Sequence, residues 1–281
     1  MTTSDAMNLF IAISTMLGGG KAPYLFTPQT HSVKLSHNFD VTDKYEQIVC
    51  YLLPHRSGKA AWEANTTAEQ RKAFDWLVWQ NLCVSSTRGC RAACLHMAGR
   101  LGMAGIAKLA RTALLAASSH ESGPFWTVVD AEITRHKARV ARNGKELVVR
   151  LNGTSDIDVP SWIIEKHDEV IFFTYTKRSD IPLGWMMSHP NVYNVFSASE
   201  NTSEELIHEI LSEDVNVVVP FDVKRGDDLP TEYLGHRVID GDKHDLRFLD
   251  DDGVIVGLRY KPVPGSPNHH GFIRPVPVSI R

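Results

Sequence analysis

The 281-residue sequence has no apolar run approaching the ~18 residues of a membrane span, which points away from a helical membrane protein. It has no marked excess of either charge. The formal net charge is −3 with 22% charged residues, so nothing global favours coating DNA or RNA, although a local basic patch is still compatible. No basic residue precedes the short apolar start "MNLFIAISTMLGGG", and Asp5 stands ahead of it. A secretory leader wants a cationic start and a small-residue cleavage site, so the expected location is the cytoplasm. Cysteine is scarce, four in all, and a reducing cytoplasm disfavours structural disulfides. A chain of this length buries enough apolar surface without one. The phosphate-loop pattern is also missing. "GGGK" at 18–21 has Thr15 and Ala22 where a Gly and a Ser or Thr are required, and reads as a flexible turn.

What cysteine there is lies together. "CVSSTRGCRAAC", residues 83–94, holds Cys83, Cys90 and Cys94, with His96 two residues on and Cys50 far away. Structural zinc uses paired Cys-x2–4-Cys knuckles, which the spacing C-x6-C-x3-C does not supply. Three thiolates without an evident fourth protein ligand suit a shell completed by water or a small molecule. Iron–sulfur clusters are held by such thiolates, and a three-cysteine cluster leaves one iron open to substrate or S-adenosylmethionine. The usual radical-SAM spacing, C-x3-C-x2-C, is absent. The plainer alternative makes Cys90 and Cys94, at i and i+4, buried helix positions. A metal of some kind is the expectation, iron–sulfur first and zinc as the alternative.

The hydrophobic pattern predicts a fold. Residues 1–66 read as irregular, with "SVKLSH" a candidate strand. A helix capped by Thr66 or Thr67 is expected to run into Cys83, followed by helices in "MAGIAKLARTALLAAS" and "PFWTVVDAEITRHKARVARNG". From residue 146, four apolar runs ("ELVVRL", "EVIFFTYT", "VYNVFSAS", "VNVVVPF") alternate with helical segments, among them "SWIIEKH", "PLGWMMSH" and "TSEELIHEILSE" with Thr202 and Glu205 spaced as a capping box. Near-continuous apolar runs alternating with helices imply buried parallel strands. The expected fold is α/β, a partial or full parallel β/α barrel-like domain over 67–261. An irregular extension, 1–66, would pack on it, and a Pro-rich tail, 262–281, would lie on the surface.

Ligands of such folds bind at the carboxyl ends of strands. Past the first run come Asn152, Ser155 and Asp156; past the second, Tyr175, Thr176 and Lys177; past the third, Ser197, Ser199 and Glu200; past the fourth, Asp222. Each alone fits a helix cap or turn, and their recurrence after every strand suggests a pocket. Asp156 suits a general base or nucleophile, and Lys177 suits a phosphate or carboxylate. "DGDKHD" adds Asp242 and Asp245, as hard oxygen ligands or as a solvated turn.

These segments, in this order over residues 27–261, resemble a mycobacteriophage family known as gene product 88. "TPQTHSVKL" matches its "TPGNSKL"-like start, and Cys83, Cys90 and Cys94 keep the spacing of its "CPGxxxxCxxxCY". "RLNGTSD" is similar to "RxHxSGD" and places Asp156 on the family aspartate. "YTK" recurs at 175–177, "FSASE" resembles "LSxD", and "GDKHDLRFLDDDGVIVGLRYK" resembles the family's carboxyl-terminal motif. Val84, Leu95, Asn152 and Ser155 depart from the pattern. Distant likenesses to radical-SAM enzymes and to guanine transglycosylases imply two chemistries. In one, a cluster on the three cysteines works with S-adenosylmethionine near "NGTSD". In the other, Asp156 acts in exchanging guanine for 7-deazaguanine. The resulting expectation is a phage-encoded metalloenzyme acting on a nucleotide or nucleic-acid-linked substrate. The alternatives are a transglycosylase-like enzyme and an interaction protein with a zinc staple or buried thiols.

Overall fold

The computed structural model describes residues 1–31, 35, 38, 43–54, 57–97, 105–119, 121–179, 189–263, 265 and 269–276. The segments "SVKLSH" and "PLGWMMSH" fall almost wholly outside these residues. The chain divides into two compact units. The first comprises residues 1–32, 44–84 and 102–172, and the second comprises 33–43, 85–101 and 173–281.

The first unit opens with a helix where the sequence reads as irregular: α1, Thr3–Met16. Thr2 and Asp5 form a reciprocal capping box at its start. Its buried stripe is only Ala6, Phe10, Ile13 and Ser14, too small and polar to stand out in the pattern. Gly18, at φ +80°, ends it, so "GGGK" is the turn expected. Strand β1 (Phe26–Pro28) pairs antiparallel with β2 (Tyr45–Cys50), so these residues too are regular structure. Helices α2 (Ser57–Asn65) and α3 (Ala68–Ala73) follow. Thr67 caps α3 as expected, but the helix stops after six residues instead of reaching Cys83. Phe74 and Trp79 pack on Trp62, and the Val78 amide bonds to the Ala116 carbonyl, drawing the backbone out of helical register.

The next element in the chain, α4 (Arg88–Ala92), belongs to the second unit. Returning to the first, α5 (Gly105–Ala116) and α6 (Pro124–Ala141) pack with α1. Pro124 starts α6, and Phe125, Val129, Ile133 and Val140 are its fully buried stripe. Strand β3 (Glu146–Arg150) pairs parallel with β2, and after α7 (Ser161–Lys166) the start of β4 (Ile171–Thr176) pairs parallel with β3.

In the second unit β4 continues into a layer with β5 (Val192–Ser197), β6 (Val217–Phe221), β7 (Glu232–Tyr233), β8 (His236–Asp240) and β9 (Ile255–Arg259). The order is β4-β5-β6-β9-β8-β7. Pairs β5–β6, β6–β9 and β8–β9 are parallel, and β7 closes one edge as an antiparallel hairpin. The α/β class is thus as expected, and in either unit taken by itself the strands form an open layer. Helix α8 (Glu204–Ser212) lays Ile207, Ile210 and Leu211 on Phe196, Val217, Val219 and Ile255. Its cap is Ser203, whose hydroxyl accepts from the Leu206 amide; Thr202 instead accepts from the Ser199 amide. The described part of the Pro-rich tail is tied to the layer at Arg274 and its neighbour Ile273. Ile273 is buried, and Arg274 bridges to Phe221, its amide donating to the Pro220 carbonyl.

Candidate functional site

Within the second unit, the carboxyl ends of β4 and β5 bring two expected groups into direct contact. Side chains alternate along a strand, so Tyr175 and Lys177 leave β4 on one face, as Val195 and Ser197 do on β5. The Lys177 ammonium donates to the Ser197 hydroxyl at 2.7 Å and to its carbonyl at 3.2 Å. It also sits 4.8 Å from the centre of the Phe272 ring, a cation–π arrangement.

Three residues past β5, Glu200 is bound to the start of α4. Its Oε2 accepts from the Thr87 hydroxyl and its Oε1 from the Gly89 amide, each at 2.6 Å. Burial would raise the Glu200 carboxyl, but these two donors, its own amide and the Lys177 charge outweigh burial and hold it below the usual carboxylate range. Thr87 is also the helix cap, accepting from the Cys90 amide at 3.2 Å. Gly89 makes the approach possible: an added Cβ would lie 2.4 Å from the His269 carbonyl and 2.7 Å from the Phe272 Cβ. Arg274 fixes the turn beside Glu200 through the Ser199 and Thr202 carbonyls.

The other expected residues of this unit have different work. The Tyr175 hydroxyl donates to buried Asp245, whose amide is held by Asn38. Thr176 is buried and accepts from the Arg178 amide. Ser199 is buried against Thr202. Asp222 lies exposed at a turn, its amide on the Arg274 carbonyl. Asp242 receives the Arg259 amide and the charges of Arg259 and Lys261. Burial raises Asp242, and those partners more than reverse it, so its carboxylate is engaged in an ion-pair knot with Asp240.

In the first unit, the loop after β3 carries the remaining candidates. Asn152 is buried and organises the loop, its Oδ1 accepting from the Ser155 hydroxyl and the Ile157 amide. Gly153 lets the backbone close on β2, where a Cβ would meet the Cys50 carbonyl at 2.6 Å. The Asp156 amide donates to the Leu82 carbonyl, and the neighbouring Cys83 thiol donates to the Thr154 carbonyl at 3.8 Å. Cys90 and Cys94 belong to the second unit, on and just beyond α4. Among the described residues, no group of three or more His, Cys, Asp or Glu side chains is arranged to hold a metal ion.

Sequence reasoning missed Thr87, Gly89, Phe272 and Arg274. "STRG" carries a cap signal in Thr87. Nothing local marks Phe272 or Arg274, which reach Lys177 and the Ser199–Thr202 turn from the tail.

The sequence pattern of the gene product 88 family matches residues 47–273, a span that contains every group described above except Asn38 and Arg274. No curated protein and no solved structure matches the chain.

Proposed function

The chain belongs to the gene product 88 family of phage proteins, and from that premise we propose that it is an enzyme acting on a nucleotide or nucleic-acid-linked substrate in the host cytoplasm. The observation carrying this reading is the Lys177 ammonium, held by Ser197 where β4 and β5 end. Ligands of parallel α/β layers gather at that edge, and a lysine there meets a phosphate as a compact point charge. Glu200, kept ionised beside it, is suited to accept a hydrogen bond from a sugar hydroxyl or a base N–H on the lone pairs that Thr87 and Gly89 leave. Ser197 aims the ammonium, and the Phe272 ring lies against one side of it. In this reading Lys177 binds and orients the anionic part of the substrate, while the ionised Glu200 orients a hydroxyl or N–H of it by accepting its hydrogen bond.

The test is incubation of the purified chain with nucleoside mono-, di- and triphosphates, oligonucleotides and transfer RNA, followed by mass spectrometry of bound and released species. Capture or conversion of a phosphate-bearing species by the wild type, and its loss in Lys177→Ala, is expected. A chain that retains and converts none of them overturns the reading.

A metal centre is a separate proposal: an iron–sulfur cluster working with S-adenosylmethionine, or zinc, on Cys83, Cys90 and Cys94. It is supported by their spacing and by the family match, which spans all three. Anaerobic purification with iron, sulfide and zinc analysis decides it. Iron with matching sulfide supports a cluster, stoichiometric zinc a staple, and neither element leaves three plain thiols.

A further inference from the structure

Apart from these residues, two histidines bring a ring nitrogen each to hydrogen-bond distance. His208 is exposed on α8 and His236 opens β8, both in the second unit. Nδ1 of His208 and Nε2 of His236 are 2.8 Å apart, with ring centroids at 4.9 Å and planes inclined by 45°. Both backbones are anchored. α8 buries Ile207 next to His208, and β8 is hydrogen-bonded on both edges, to β9 and to β7. Neighbouring imidazole ligands bonded at about 2.0–2.1 Å to one ion lie about 2.9–3.4 Å apart for ordinary ligand angles. The observed separation reaches that range by opening a few tenths of an ångström.

We infer that His208 and His236 form a binding site for a divalent first-row transition ion of the class that prefers imidazole, such as zinc, nickel or copper. Nδ1 of His208 and Nε2 of His236 are its protein ligands, and water fills the rest of the shell. The hydrogen now shared between the rings moves through water to the far nitrogen of its own imidazole, so both facing lone pairs are freed without net proton release. Glu205 lies three residues before His208 on the same helix, at neighbouring spacing, and keeps the approach negative. This site is separate from the cysteines and does not depend on the reading of Lys177.

Zinc titration of the full chain, read by long-range 1H–15N spectra of the imidazoles, tests it directly. Calorimetry on the wild type, His208→Ala and His236→Ala accompanies it. With zinc in excess of the cysteines, His208 Nδ1 and His236 Nε2 are expected to shift together. Each variant is expected to lose that site or bind it about tenfold or more weakly. Unshifted nitrogens, as when only thiols take the ion, overturn the inference, and so do variants that bind zinc as the wild type does. The spectra are read on the unsubstituted protein, so a misfolded variant cannot decide the outcome.

Discussion

The room beside Gly89 is less than a methyl group. Two of the three atoms an added Cβ would strike, the His269 carbonyl and the Phe272 Cβ, belong to or sit on backbone and cannot swing aside. Gly89→Ala is therefore expected to destabilise the protein by about 1–3 kcal/mol, as overpacking does, measured by urea unfolding. His136 in the first unit sets a second expectation. Burial, with Arg139 and Arg135 nearby, lowers its pKa from 6.5 to about 4. A depressed folded-state value means its contribution is present above the unfolded pKa and lost as pH falls through the folded one. Between pH 6.5 and about 4 the wild type should lose up to about 3 kcal/mol from this group. Asp250 runs the other way: pushed up to about 6, chiefly by burial, it contributes at low pH and loses that contribution as pH rises from about 4 to 6. The difference between wild type and His136→Gln isolates the histidine. Stability curves of the two that stay parallel from pH 7 to pH 4 would contradict the assignment.

At the scale of elements, legibility followed how much of a helix or strand was decided locally. Pro124 at the start of α6 and its clean apolar stripe were readable because cap, period and core agree there. The premature end of α3 was not, because its cause is tertiary: three aromatic rings and a backbone bond to the end of α5. The cap of α8 shows the same limit at finer grain. Thr202 and Ser203 are both good caps, and the Ser199 turn takes the threonine, leaving the serine. Ser203→Ala should accordingly cost about 1 kcal/mol and Ser203→Asp little, as measured by thermal unfolding. An alanine variant as stable as the wild type would return the cap to Thr202.

Across the whole molecule, the strand-end rule picked out Lys177 and Ser197, which the fold brings into contact, because the carboxyl edge of a parallel layer follows from the order of apolar runs. It also collected residues with other duties. Asn152 and Ser155 shape a loop, Tyr175 and Asp245 bond each other, and Asp242 neutralises Arg259 and Lys261. In the tail, proline-rich composition hides single anchors such as Phe272 and Ile273. No helix among the described residues is long and apolar enough to cross a membrane. The proposed role of Lys177, binding an anion at a strand edge, has one direct test. Calorimetric titration of the full chain with nucleoside triphosphate, at low and moderate salt, tests it most directly. Binding by the wild type, weakened about tenfold or more in Lys177→Ala and largely kept in Lys177→Arg, is the expected result. Equal affinity in the wild type and Lys177→Ala would contradict it.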